Sequence, residues 1–151
     1  MKFINLDISS FKSFMFVVIQ FICIGIIAFT GKILPDDLFS ILFLILFLLI
    51  GFWAMLVMKF NFNISPELIE GTNLKTFGPY SFIRHPMYLS VLGITLCWLL
   101  NGWSYFRLFI WLILFVDLIL KINYEEKILD TAFKDFKIYK SKTKKLIPFI
   151  F

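Results

Sequence analysis

An all-α, polytopic membrane protein is the fold class this sequence predicts: about four transmembrane helices followed by a cytoplasmic C-terminal amphipathic helix. Three observations carry that expectation. Apolar residues make up 60% of the 151 and aromatic residues 20%, with a mean hydropathy of +0.90, which is more apolar surface than a soluble core of this size can bury. The apolar residues gather into four runs separated by turn-forming or charged segments. Basic residues fall almost entirely in the segments that four crossings would place on one face. The length leaves room for one domain, 1–151, with two N-terminal spans in 1–58 and a core in 59–151.

The first run, Ser13 to Thr30, follows Lys2 and Lys12. It is long for a signal peptide, lacks a small-residue cleavage site and meets another apolar run at once, so it reads as a retained span. Gly25 within it marks an expected close helix contact. The turn Gly31–Asp37 holds a glycine, a proline and two acids and stops the helix. Leu38 to Met58 is the second span, close to the ~20 residues a crossing needs. After the long polar loop Lys59–Pro86 comes a short third run, Met87 to Leu100, with Pro86 expected to open its helix. Asn101–Ser104 turns the chain into the fourth run, Tyr105 to Leu120, with Trp103 and Tyr105 as interfacial anchors. Beyond it, Ile122, Leu129, Phe133 and Phe136 recur at helical spacing, predicting a helix that continues along the membrane surface to about Thr143.

Four crossings place Met1–Lys12, Lys59–Pro86 and Lys121–Phe151 on one side. These segments hold two, three and eight Lys or Arg, thirteen together, against Lys32 and Arg107 on the other side. The positive-inside rule then puts both termini in the cytoplasm of a cytoplasmic (inner) membrane. The net charge of +5 belongs to lipid headgroups and gives no sign of nucleic acid. Cys23 and Cys97 lie inside apolar runs and read as small hydrophobes, and no Cys/His spacing suggests a metal site.

Two polar clusters stand out from this background. In the first, Gly78–Tyr88, Arg84 and the only histidine, His85, stand before Pro86 and Tyr88. This is either a juxtamembrane anchor or an anion site built from Arg84, His85 and free backbone N–H groups at a helix start. The second is Lys121-Ile122-Asn123-Tyr124-Glu125-Glu126. Lys121 and Glu125, four apart, share a helix face, whereas Glu125 and Glu126 point about 100° apart and suit different tasks. Asp117, one turn before Lys121, is expected to pair with it at the helix end. Both clusters belong to the cytoplasmic surface.

The run Asn73–Tyr88, with Gly78-Pro79-Tyr80 and Arg84-His85-Pro86-Met87-Tyr88, is followed by Glu125-Glu126-x-x-Leu129-x-x-x-Phe133 and Leu146-Ile147-Pro148. Together these resemble the isoprenylcysteine carboxyl methyltransferases and the related phospholipid methyltransferases, over roughly residues 59–148. The first two spans match only in being hydrophobic. The resemblance implies an integral membrane enzyme that uses S-adenosylmethionine without a Rossmann domain. It further implies that Thr72, Asn73, Leu74 and Lys75, with Tyr80 and Arg84 to Tyr88, hold the cofactor and that Glu125 reaches it from the C-terminal helix. The catalytic candidates are Lys121, Glu125 and Glu126. Lys121 stands where several relatives carry an arginine facing the methyl acceptor, and lysine lacks the planar fork. Phe133-Lys134, Phe136 and Tyr139 depart from the family's Phe-Gly and paired tyrosines, so different packing is expected there.

The partner implied is a lipophilic small molecule or lipid, methylated on a carboxylate or an amine, with membrane lipids around it. A carboxylate needs a cation such as Lys121 to place it, and an amine needs a base, for which either glutamate is the candidate. Two other readings are a membrane reductase using a nicotinamide cofactor and a non-enzymatic transporter or scaffold. The first demands more cytosolic surface than the chain offers. The second would distribute polar residues along a path across the membrane.

Overall fold

The computed structural model describes residues 3–59 and 74–147, with side chains from residue 11 onward. Its elements are α1 (Phe3–Phe29), α2 (Leu38–Val57), a short 3-10 turn (Gly78–Ser81), α3 (Pro86–Asn101), α4 (Tyr105–Ala132) and α5 (Phe136–Lys142). Among the described residues there is no strand, only one bridge between Ile83 and Lys144.

Helix ends fall where the sequence supplies caps. Asp37 accepts a 2.9 Å hydrogen bond from the Ser40 amide and starts α2, while Ser104 accepts from the Arg107 amide at 3.3 Å and starts α4. Pro86 occupies the first position of α3, where its missing N–H is no loss. Two helices are long and apolar enough to cross a membrane: α1 over Phe11–Phe29 and α2 over Leu38–Val57. The 16 residues of α3 reach about 24 Å at 1.5 Å each, short of a ~30 Å hydrocarbon core. Helix α4 instead has 28 residues and runs unbroken past the fourth apolar run. The surface helix expected to reach Thr143 breaks at Phe133, whose backbone is extended, and α5 resumes for only 7 residues.

Packing pairs α2 with α3 and α1 with α4, and α3 and α4 join the pairs. Cys23 and Ile27 of α1 meet Leu92 of α3 and Ile110, Leu114, Leu118 and Ile122 of α4 in the core. The outer faces remain apolar: Phe14, Phe21, Phe39, Leu49, Phe109 and Val116 are all exposed, the pattern of a surface solvated by lipid. Gly25 is not the close contact expected of it, because a β-carbon there would meet nothing. The tight crossings are at Gly51 and Gly93, where an added methyl would strike Ser90 and the Phe47 ring, holding α2 against α3.

The bundle has two unlike ends. At one, the buried Arg107 donates to Gly102 O and, at 2.8 Å, to Ile27 O, tying the C-terminal ends of α3 and α1 to the first turn of α4. At the other end stand the start of α3, the continuation of α4 and the chain after α5.

Candidate active site

The site begins with a turn only glycine accepts easily. Gly78 has φ +64°, and a β-carbon there would also press on Val57 and Trp53 of α2. The turn buries Pro79 and Tyr80 and sends the chain beside residues 143–145. Arg84 N donates to Lys144 O at 2.7 Å, His85 N to Lys145 O at 3.0 Å, and Lys144 N to Phe82 O at 3.3 Å. This short ladder consumes the backbone donors of Arg84 and His85, which the sequence had offered to an anion. It also fixes His85 at the N-cap of α3, facing the glutamates of α4.

Arg84 is committed inside the protein as well. Its Nε donates to Glu126 Oε1 at 2.7 Å, and its Nη1 donates to Lys140 O and Thr143 Oγ1, both at 3.2 Å, and to Thr143 O. Lys140 Nζ stands 3.4 Å from Glu126 Oε2. Arg84 and Glu126 therefore form a buried clamp that joins α4 to the end of α5. Burial alone would favour a neutral Glu126, but His85 and Arg84 outweigh it and hold the carboxyl at about 2.

Glu125 faces a different set of partners. Tyr88 Oη donates to its Oε1 at 2.5 Å, and His85 Nδ1 lies 3.4 Å from its Oε2. The His85 and Tyr88 rings stack, with centroids 5.6 Å apart and planes at 13°. His85 Nε2, 3.5 Å from Glu126 Oε1, is buried without a hydrogen-bond partner. Burial disfavours charge on this imidazole, yet Glu125 and then Glu126 prevail and raise its pKa above the ordinary value. Lys121 Nζ sits over the Tyr88 ring, 5.1 Å from its centroid. It donates at 2.8 Å to Gln20 Oε1 of α1, and not to Asp117 as the four-residue spacing had suggested. Asp117 Oδ2 is buried with no hydrogen-bond partner.

Arg84, His85 and Tyr88 thus meet Lys121, Glu125 and Glu126 in one continuous wall, although 33 or more positions separate the two sets in sequence. Of the other residues expected in the site, Tyr80 and Pro86 are buried and Leu74, Lys75 and Met87 half-buried. Thr72 and Asn73 lie outside the described residues. Gln20, Tyr139, Lys140 and Thr143 enter from helices the sequence did not connect to the site. Gln20 did leave a signal, as the one amide in an otherwise lipid-like run. Tyr139 donates to Tyr80 O at 2.7 Å, and burial, ahead of the neighbouring charges, pushes its phenol up to about 12.

These features define a helical protein with two membrane-length helices, carrying a ring-and-carboxylate polar site at one end of an apolar bundle. The chain belongs to the isoprenylcysteine carboxyl methyltransferase (ICMT) family, whose model matches residues 40–131. The match takes in α2 from Ser40, the Gly78–Tyr88 turn, α3 and α4 to Thr131, leaving α1 and the chain after α4 outside. No curated protein and no solved structure matches significantly. Membership implies methyltransferase activity, and with the two long apolar helices it makes this a membrane protein.

Proposed function

We propose that the chain is an S-adenosylmethionine-dependent methyltransferase acting on a membrane-embedded or lipophilic acceptor at the cytoplasmic membrane face. The observation that carries the reading is the convergence of Tyr88 and His85 with Glu125 and Lys121 at one end of the bundle. The charge distribution supports this face: if the chain crosses four times, thirteen of the fifteen Lys and Arg residues, and both clusters, fall on one side, which the positive-inside rule makes cytoplasmic.

The residues fit a sulfonium cofactor. The Glu125 carboxylate, set between Tyr88 and His85, favours a cation, and His85 Nε2 is a buried polar atom that makes no hydrogen bond. S-Adenosylmethionine supplies an activated methyl group, so the protein's task is alignment and exclusion of water. Glu125, with its side chain 17% exposed between Tyr88 and His85, is the glutamate that faces the cofactor. Glu126 is a poor base at about 2, with both oxygens engaged by Arg84 and Lys140.

On the acceptor side Lys121 presents a buried ammonium whose hydrogen bond goes to a neutral amide. That charge would orient an acceptor carboxylate, which needs no base because it has no proton to lose; its oxygen would gain the methyl as the S–CH3 bond breaks and a neutral thioether leaves. An amine acceptor would give its proton to Glu125, the nearest carboxylate outside the clamp. Labelled-methyl transfer to lipid extracts tests the reading: His85→Ala and Glu125→Ala are expected to lower transfer at least about 100-fold while the protein stays folded. Full activity in both variants would remove these residues from the site. Failure of S-adenosylmethionine to protect the protein from thermal unfolding would remove the cofactor.

A further inference from the structure

Helix α1 lies outside the region matched to the family, yet it supplies the hydrogen bond that holds the Lys121 side chain. Both partners are buried, Gln20 at 7% and Lys121 at 1% exposure. A buried amide in an apolar helix most often satisfies whatever polar group lies opposite. Here the pairing is selective. A buried lysine is ordinarily matched with a carboxylate, and Asp117 stands one helical turn away with a buried oxygen that has no hydrogen-bond partner. Even so, no described carboxylate lies at ion-pair distance from Lys121. Its ammonium is drawn across the α1–α4 seam instead and held over the Tyr88 ring. Glutamine fixes the nitrogen in place without forming an ion pair with it.

We propose that Gln20 is a positioning and specificity-determining residue: it aims the Lys121 ammonium at an anionic group on the acceptor, making α1 a wall of the acceptor site. The inference rests on the methyl-transfer reading above and deepens it. An ammonium has three donors; one goes to Gln20, and with Lys121 at 1% exposure the others would meet a carboxylate that enters beside Tyr88. A glutamate at position 20 would keep the hydrogen bond and the shape but supply the counter-charge, competing directly with the acceptor. A leucine would keep the volume and release the ammonium.

The test uses the full chain in lipid nanodiscs, with an N-acetylated S-prenylcysteine as carboxylate probe, its methyl ester as uncharged probe and a prenylamine as cationic probe. The wild type is expected to bind the carboxylate more tightly than the ester by about tenfold. Gln20→Glu and Gln20→Leu should each erase that preference and raise KM for the carboxylate about tenfold. The dissociation constant for S-adenosylmethionine and kcat should stay within about twofold. If Gln20 merely packs α1 on α4, the isosteric glutamate variant will keep the wild-type preference, and the proposal falls while the methyl-transfer reading stands. It falls in the same way if the wild type does not prefer the carboxylate, or prefers the prenylamine. A wild-type protein that binds no S-adenosylmethionine overturns the methyl-transfer reading and this proposal with it. Should the leucine variant fail to fold, the glutamate variant decides.

Discussion

The two ends of the bundle each bury an arginine, and the two arginines are held in opposite ways. Arg84 faces a carboxylate that His85 also approaches, and the end of α5. Arg107 faces only carbonyl oxygens, Ile27 O and Gly102 O, at the ends of α1 and α3. The first is part of an ion pair within a network that includes titratable groups. The second satisfies helix C-termini, where carbonyls lack intrahelical partners and the helix dipole is negative. Removing Arg84 takes from a buried carboxylate its shortest partner and leaves it Lys140 and His85, whereas removing Arg107 leaves carbonyls that many helix ends tolerate. Among the described residues, the buried ion pair and the histidine beside it stand at the Arg84 end.

Substitution is the direct way to break the contrast. Arg84→Ala should destabilise the protein by about 3–5 kcal/mol, the usual loss when one partner of a buried ion pair is removed. Thermal or denaturant unfolding in detergent measures it, and Glu126→Ala should behave alike. Arg107→Ala should lose less, about 1–3 kcal/mol for its hydrogen bonds to carbonyls. Equal losses at the two ends would mean that the Arg84–Glu126 pair is no stronger than a helix cap.

Acidity sharpens the same contrast. Glu126 is depressed from 4.5 to about 2 in the folded chain, so its contribution is complete above pH 4.5 and drains away as the pH falls through about 2. His85 is raised above 6.5, so its contribution is complete below pH 6.5 and is lost as the pH climbs through the raised value. Unfolding followed against pH should therefore show an acid limb that Glu126→Gln flattens and Arg107→Ala leaves intact. The smallest effect is expected at Tyr139→Phe, which removes one neutral hydrogen bond to Tyr80 O and should cost about 1 kcal/mol. A loss as large as that of Arg84→Ala would make the tyrosine, and not the arginine, the main fastening of the chain after α5.

How much of this is legible in the sequence depends on the range of the interaction. Pro86 opening α3 and the turn at Gly31–Asp37 follow from local chemistry and can be read directly. The meeting of Arg84–Tyr88 with Lys121–Glu126 is readable only because both stretches carry a family pattern; periodicity and composition do not join them. Pairings without such a pattern escape. The four-residue spacing of Asp117 and Lys121 permits contact but does not require it, and a partner 101 positions away in α1 takes the lysine instead. Gly25 shows the same limit: a glycine in a span signals freedom to approach, but which glycine is used depends on which helices cross. The bridge between Ile83 and Lys144 is too short to leave an alternating pattern, and helical spacing after Lys121 hides the break at Phe133.

The ladder between Phe82–His85 and Lys144–Lys145 bears on the order of biosynthesis. Chains are made from the N-terminus, so α1 and α2, the two membrane-length helices, are complete well before the backbone partners of Arg84 and His85 are made. Until Lys144 and Lys145 emerge, the backbone N–H groups of Arg84 and His85 lack these partners. The ladder therefore closes only after the first two helices have been made.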